Sequence, residues 1–422
     1  MFSKIANVFF SKILVSVLGF FIVIINAKQL GAEGLGLISL IILCITYNQV
    51  VCGIVGGSAL MYLAPRKPLL QLLLPSYFWG ILSSLAGAAI LVFCKLLPPE
   101  YARDVFLLSV LQAFGTVHLN LFIGLEKIRK YNWISALQVI ISFVSLLLLF
   151  YLLKEKNVRS YITSLYLGYA FVFLASTFVL LPEIKTESMR SWGNSLKAIV
   201  QNSVYIQVAT IIHLLNCRLS YFMLDKYMDN ASLGIFSTAV SIAESLWLIN
   251  RSIAVVQYSK VVNSTEPADS RELTLVLAKF SLVLTLFFAG VMLLIPGSFY
   301  MQLFGEKFEI LRHLLIYLLP GIVFVANATL YVHYFAAIGK NGINTLASAV
   351  GFTFTLLFCL VLIPRYQMAG AAVSSSASYF ATTLFLIFNF KKETGYSWKR
   401  FLINRSDTRY IFVEIKKLFA FN

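Results

Sequence analysis

The sequence predicts an all-α, polytopic membrane protein with about twelve transmembrane helices. Of the 422 residues, 59% are hydrophobic and only 12% are charged, whereas soluble domains carry roughly 25% charged residues. The mean hydropathy of +0.83 is far above that of a soluble chain. Apolar stretches long enough to cross about 30 Å of hydrocarbon also recur along the whole sequence.

Each predicted span is an apolar stretch bounded by charged or turn-forming residues. The first span is long enough to cross a membrane and lacks a small-residue cleavage site. We therefore predict a retained helix and not a signal peptide. The tenth is long and contains Pro320 and Gly321, which predict a kink. In order, the spans are 5–27, 35–60, 73–94, 105–124, 133–153, 161–181, 203–225, 233–256, 273–296, 309–337, 344–363 and 370–390.

The spans divide into two groups of six, at 1–181 and 203–390, joined by a linker at 182–202. A weak internal repeat supports the division, because "LGLIS" at 35–39 matches "LGIFS" at 233–237. Both stretches open the second span of their group. Six spans is an even number, so the two groups enter the membrane in the same direction, as a parallel repeat.

The distribution of basic residues predicts that both termini are cytoplasmic. With that orientation, 21 lysines and arginines lie on the inner side and ten on the outer side, as the positive-inside rule requires. The net charge of +16 is therefore explained by topology and not by nucleic acid. The basic tail, 391–422, reads either as an amphipathic helix on anionic inner-leaflet lipids or as a solvated segment.

The sequence gives no sign of a metal site, a disulfide framework or an enzyme. The five cysteines form no CxxC pair and the four histidines form no HExxH motif, so the histidines read as packed or hydrogen-bonded helix residues. We find no phosphate-binding loop and no GxSxG motif. The longest predicted loops have about twenty residues, which leaves no room for a soluble domain.

Charged residues within the spans are the candidate functional residues. Arg218 and Asp225 lie in the seventh span and Glu244 lies in the eighth. Arg218 and Glu244 are close enough along the helix axis to form a neutral pair that locks two helices. Alternatively, Arg218 lines a polar cavity and meets an anionic substrate, because the planar guanidinium binds phosphate through two parallel hydrogen bonds.

The other charged residues leave similar alternatives open. Arg251, Lys279 and Lys12 lie nearer the inner side, where they either extend to lipid headgroups or continue a cationic path. Glu244 either pairs with an arginine or carries a proton or sodium ion that couples transport. No resident cofactor is predicted beyond such a coupling ion.

Three stretches resemble the polysaccharide flippases. They are "KQLGAEGLGLISL" (28–40), "GLEKIRKYNWIS" (124–135) and "LIPRYQMAGAAVSSSASY" (362–379). With twelve spans and a basic tail, the chain resembles a Wzx-type O-antigen or polysaccharide flippase of the MOP (multidrug/oligosaccharidyl-lipid/polysaccharide) exporter superfamily, nearly from end to end.

The resemblance implies a fold and a function. It implies a V-shaped pair of six-helix lobes around a central, often cationic cavity in the bacterial cytoplasmic (inner) membrane. The substrate would be an undecaprenyl-diphosphate-linked oligosaccharide, moved outward by alternating access and driven by an ion gradient, with polysaccharide polymerase machinery as a possible partner. The alternatives are a MATE-like multidrug or cation antiporter and, from another class, a membrane-embedded polymerase or ligase. The first six spans contain few charges apart from Lys12.

Overall fold

The computed structural model describes residues 2–57, 59–184, 192–262 and 266–402. These residues are almost entirely helical and include no β-strand. The α-helices are α1 (Phe2–Gly56), α2 (Ala59–Leu63), α3 (Leu69–Phe93), α4 (Ala102–Gly124), α5 (Ile128–Leu147), α6 (Val158–Leu180), α7 (Trp192–Tyr227), α8 (Asn230–Glu244), α9 (Trp247–Val262), α10 (Pro267–Leu294), α11 (Gly297–Phe304), α12 (Leu311–Ala337) and α13 (Asn341–Thr394). Short 3₁₀ turns cover Pro99–Tyr101, Leu181–Glu183, Glu306–Phe308 and Trp398–Phe401, and a π-helical turn covers Leu148–Leu152.

Eight helical stretches in the described residues are long and apolar enough to cross a membrane. Two of them are too long for one crossing, because 50 helical residues extend about 75 Å. Each contains one break in the helical backbone. In α1 the break is at Gly31 (φ 69°, ψ −173°), and in α13 it is at Gln367 (φ 54°, ψ −132°). The two breaks separate the predicted first span from the second and the eleventh from the twelfth.

The seventh and eighth predicted spans correspond to α7 and to the α8–α9 pair, which are not among those eight stretches. The eighth predicted span, 233–256, is interrupted by a turn, because α8 ends at Glu244 and α9 begins at Trp247. Helix α7 begins at Trp192, so the second half of the predicted linker is helical. The count of twelve crossings and the cytoplasmic termini stay predictions.

The described helices form two compact units. The first comprises Met1–Ile211 with Asp229–Gly234 and Leu303–Gly305, and the second comprises the rest. Each has its own apolar core of fully buried side chains. The core of the first includes Leu60, Leu121 and Phe122. The core of the second includes Leu330, Phe335 and Phe390. The predicted lobe limits, 1–181 and 203–390, stay a prediction.

Within the first unit, the repeated "LG" dipeptides meet at a close crossing of α1 and α8. A Cβ atom on Gly36 would overlap the carbonyl oxygen of Asn230, and a Cβ atom on Gly234 would overlap the carbonyl oxygen of Ala32. Each glycine therefore faces the residue four positions before the other glycine. The contact is therefore reciprocal, and only glycine leaves room for it.

The basic C-terminal segment folds back onto the second unit as far as it is described. Gly395 ends α13 in the left-handed conformation (φ 72°), as is common at helix C-termini. Arg400 donates to Glu272 of α10 (2.8 Å), and Lys391 lies 4.8 Å from the centre of the Trp398 ring. The predicted amphipathic helix falls largely on 403–422, outside the described residues.

Candidate functional site

The two most unusual charges of the sequence, Arg218 and Glu244, form one ion pair in the second unit. Both terminal nitrogens of the guanidinium donate to the carboxylate, with Nη1–Oε1 and Nη2–Oε2 distances of 2.7 Å each. The two side chains keep 24% and 17% of their surface accessible. The predicted pair exists, therefore, and it is not sealed within packed helices.

The break between α8 and α9 places Glu244 at the last position of α8. Backbone bonds from Ser245 to Ile242 and from Leu246 to Ala243, both 3.2 Å, close a tight turn there. The Ser245 hydroxyl also donates to the Ile242 carbonyl (2.7 Å), a side-chain bond that competes with helix continuation. A carboxylate at a helix C-terminus is repelled by the helix dipole, and Arg218 compensates for that repulsion.

Aromatic rings surround the two arginines of the site. The Arg218 guanidinium lies 5.2 Å from the centre of the Tyr221 ring, and Arg251 lies 5.3 Å from that of Trp247. Trp247 in turn meets Tyr379 of α13 edge to face, with ring centres 6.3 Å apart. Cation–π contacts hold guanidinium groups in place without neutralising them.

A histidine and a cysteine extend the cluster along α7. His213 Nε2 lies 3.8 Å from Cys217 Sγ, one helical turn away. His213 is in electrostatic range of both Arg218 and Arg251. Tyr379 of α13 lies within electrostatic range of Cys217.

The remaining predicted residues have different surroundings. Asp225 lies seven residues after Arg218, about two turns further along α7. Lys279 is in α10 and is 6% exposed. Arg251 is exposed apart from its contact with Trp247. The side chain of Lys12 falls outside the described residues, so its predicted role stays a prediction.

A network of uncharged hydrogen-bonding side chains joins α7 to α13. Its centre is Asn216, which lies two residues before Arg218. Thr355 donates to the Oδ1 atom of Asn216 (2.6 Å), and Ser378 donates to the same atom. Ser378 also donates to the carbonyl of Gly351 (2.9 Å). A Cβ atom at Gly351 would overlap Thr382 and Asn216. The network fixes α7 against α13 and so fixes the helix from which Arg218 projects.

The predicted behaviour of the histidines holds for His118 and His333. His118 is 1% exposed in the first unit, with Nε2 bonded to the Tyr77 hydroxyl and Nδ1 to Ser176 (2.6 Å). His333 Nδ1 bonds to the carbonyl of Thr329 (2.8 Å). No group of three or more potential metal ligands occurs among the described residues.

The sequence analysis missed the neutral and aromatic part of the site, comprising His213, Cys217, Tyr221, Trp247 and Tyr379. A signal was present on α7, because residues 213, 217, 218 and 221 recur at spacings of three and four and thus share one helix face. Tyr379 comes from a span more than 130 residues away, and nothing local indicated its position.

The geometry of the pair allows exchange of its anion. The guanidinium carries five N–H donors in a fixed fork, and Glu244 occupies two of them. An incoming diphosphate offers the same two-oxygen geometry. A proton on Glu244 would remove its negative charge and weaken its hold on Arg218.

Comparison with known proteins supports the fold. No family model matches the chain. One curated relative, the "Capsular polysaccharide biosynthesis protein CapF" of Staphylococcus aureus, is 24% identical over 188 residues, which are 42% of this chain and 46% of that protein. The match therefore spans less than half of the relative's length.

Two solved structures resemble the whole chain. The lipid II flippase MurJ in an inward closed conformation has a TM-score of 0.76 at 16% identity, over 100% of this chain and 94% of that one. A multidrug resistance MATE family transporter of the MOP superfamily, facing inward, has a TM-score of 0.66 at 12% identity, over 91% and 94%. The chain is a multi-pass membrane protein with the two-lobed helical fold shared by MurJ and the MATE transporters of the MOP superfamily.

Proposed function

We propose that this protein is a flippase for an undecaprenyl-diphosphate-linked oligosaccharide. It would move this lipid from the inner to the outer leaflet of the bacterial cytoplasmic membrane by alternating access. The observation that carries the proposal is the partly accessible, bidentate Arg218–Glu244 pair within a MOP-superfamily fold. MurJ, named as a lipid II flippase, and CapF, named for capsular polysaccharide biosynthesis, support the same substrate class.

Arg218 would bind the diphosphate in place of Glu244. Passage of a diphosphate through bare hydrocarbon leaves its charges without partners, which costs many kcal/mol, so a polar path is needed. A hydrogen bond to a charged group contributes about 1.5–3 kcal/mol. Arg251, Lys279 and Lys12 would extend the cationic path, and the prenyl chain would remain in lipid.

Glu244 would couple this binding to an ion gradient. While Glu244 is ionised, it competes with the substrate for the guanidinium. A proton that binds Glu244 favours release of Arg218 to the diphosphate, and loss of that proton favours release of the diphosphate. Sodium bound by the carboxylate would act in the same sense. Asp225, which lies on α7, is a second acidic residue that could take part.

Transport assays with the reconstituted protein test the proposal. The probe is a fluorescently labelled polyprenyl-diphosphate–N-acetylglucosamine in sealed vesicles, and its exposure is read by dithionite quenching. We expect Arg218→Ala to slow flipping at least tenfold, since 1.4 kcal/mol is a factor of ten. Arg218→Lys should recover only part of the rate, because an ammonium cannot form two parallel bonds. Unchanged flipping by a correctly folded Arg218→Ala protein would refute the phosphate role.

The two rival functions make different predictions. A MATE-like antiporter would export cationic drugs, and the similar fold of such transporters keeps this candidate open. In this chain, however, Glu244 is already neutralised by Arg218. Drug resistance conferred on a hypersensitive host would favour the antiporter. A polymerase or ligase would instead form a glycosidic bond in the purified system, where the proposed flippase forms none.

A further inference from the structure

The first unit contains a cavity that the charged site does not explain. Its volume is about 230 Å³, and it lies between α1, α3, α4 and α7. Polar residues from all four helices line it, namely Gln49, Ser76, Thr116, Asn120 and Gln207. In the described ranges, no lysine, arginine, aspartate or glutamate lines this cavity. An uncharged polar wall inside a membrane protein needs an explanation, since polar groups there are costly unless they are bonded.

Gln207 is the central residue of this wall. It is 9% exposed. Two glycines of α1 make space for it. A Cβ atom at Gly53 would lie 2.8 Å from the amide carbon of Gln207, and one at Gly57 would lie 2.6 Å from its Nε2. The "GIVGG" stretch of α1 therefore accommodates a buried amide that lines the cavity.

The side-chain donors of Ser76 and Asn120, which line the cavity, bind backbone carbonyls of α1. Ser76 donates to the Val55 carbonyl (2.6 Å), and Asn120 donates to the Gly56 carbonyl (3.0 Å). In contrast, the Oε1 atom of Gln49 is a buried acceptor without a partner. The side-chain oxygen of Asn120 is an acceptor as well, and Gln207 offers both functions. A fitting ligand thus has to bring hydrogen-bond donors of its own.

Size and charge narrow the class of ligand. The cavity has room for about eight waters at roughly 30 Å³ each, and it is smaller than the roughly 300–1,000 Å³ typical of sites for drug-sized molecules. A diphosphate would find no cation there, and a metal ion would find no carboxylate. A single ring that carries several hydroxyl groups matches both the volume of the cavity and the unpaired Oε1 atom of Gln49.

We infer that this cavity of the first unit binds an uncharged, hydroxyl-bearing sugar of the transported lipid. The inference rests on the proposed function and adds a second recognition element to it. Arg218 would bind the diphosphate common to all such lipids, whereas Gln207, Gln49 and Thr116 would recognise the glycan. The buried amides discriminate strongly, because a ligand that lacks the matching hydroxyl leaves them without partners.

Two probes separate this inference from the proposed function. Binding of undecaprenyl diphosphate and of undecaprenyl-diphosphate–N-acetylglucosamine is measured on the full chain in nanodiscs by native mass spectrometry. We expect Gln207→Leu to weaken the sugar-bearing probe about tenfold and to leave the sugar-free probe unchanged. Arg218→Ala should weaken both probes by the same factor. The control Gln29→Leu changes a half-buried glutamine of α1 that lies outside the cavity and donates to the Tyr151 hydroxyl, and it should alter neither.

A second cavity variant, Gly53→Ala, keeps the inference testable if Gln207→Leu does not fold. Gly53→Ala brings a methyl group against the flexible end of Gln207 and narrows the cavity without meeting backbone. It should also weaken only the sugar-bearing probe. Its control is Gly290→Ala, where the structure places no atom within 4 Å of the added methyl.

The binding results for the two probes distinguish failure of the sugar subsite from failure of the diphosphate role. If both cavity variants leave the ratio of the two affinities unchanged, the sugar subsite is refuted while the diphosphate role stands. If Arg218→Ala alters neither probe but the cavity variants still act on the sugar, the diphosphate role fails and the subsite stands. If wild-type protein binds neither probe better than undecaprenol, the proposed function and the inference both fail.

Discussion

Gly36 and Gly234 face each other across a crossing of α1 and α8, and each lies against the residue four positions before the other. The same two residues are equivalent in the internal repeat, at an offset of 198. The symmetry of the sequence is therefore visible as a reciprocal contact of the backbone. Small residues allow such close approach between helices in membranes, where van der Waals packing drives association.

Substitution of either glycine should destabilise the protein. Gly36→Ala places a methyl group on the carbonyl of Asn230, so the backbones must separate, at a cost of about 1–3 kcal/mol. Gly234→Ala should have a similar effect, because the contact is reciprocal. The thermal unfolding midpoint in detergent, measured by size-exclusion chromatography with fluorescence detection, should fall by several degrees. Gly290→Ala should leave it in place, and equal midpoints for all three variants would contradict the crossing.

Removal of one partner of the Arg218–Glu244 pair should destabilise the protein more than removal of both. A fully buried charge without its partner costs roughly 3–5 kcal/mol, and the partial accessibility of this pair reduces that cost. Arg218→Met and Glu244→Leu should each lower the folded yield, whereas the double variant should recover it. Flipping should remain lost in the double variant. Recovery of flipping would show that the pair is only structural.

Loss of Asn216 should loosen the contact between α7 and α13. Asn216→Ala removes the acceptor shared by Thr355 and Ser378, and unsatisfied buried polar groups cost about 1–3 kcal/mol each. We expect faster hydrogen–deuterium exchange in α7 near Cys217, with α3 and α4 of the first unit unchanged. Asn216→Ser, which restores a small polar group, should show a weaker effect. Uniform exchange across both units would argue against a local role for the network.

The contact of Arg400 with Glu272 should contribute little to stability. Its side chains are 54% and 32% exposed, and exposed ion pairs contribute about 0–1 kcal/mol. Arg400→Ala should therefore shift the unfolding midpoint by about a degree or less, and less still in high salt. A shift of several degrees would contradict the assignment of this contact as a weak, exposed ion pair.

Hydropathy predicted most of the helices but not the α8–α9 break. A long apolar stretch predicts a helix wherever it occurs, so α3, α4, α6 and α10 lie close to their predicted limits. The break at Glu244 involves no proline or glycine. It depends on Ser245, whose hydroxyl bonds to the backbone one turn earlier, and a serine in an apolar stretch does not by itself predict a break.

Of the two candidate sites, the sequence predicted the charged pair but not the cavity of the first unit. Opposite charges in adjacent spans are conspicuous, so the Arg218–Glu244 pair could be predicted as one of two alternatives. The cavity of the first unit is uncharged and gave no such signal. A weaker signal was available on α4, where Gln112, Thr116 and Asn120 recur every four residues and form a polar stripe in an apolar span. The position of Gln207 against that stripe depends on long-range packing.

The two-pronged contact between Arg218 and Glu244 has a consequence for small ions. A halide is a single atom, so it cannot accept the two parallel hydrogen bonds that the Arg218 guanidinium donates to the Glu244 carboxylate. A ligand with two suitably spaced oxygens can. Under the proposed function, Glu244 would therefore exclude chloride from the guanidinium, and the protein would conduct little chloride while it binds a diphosphate.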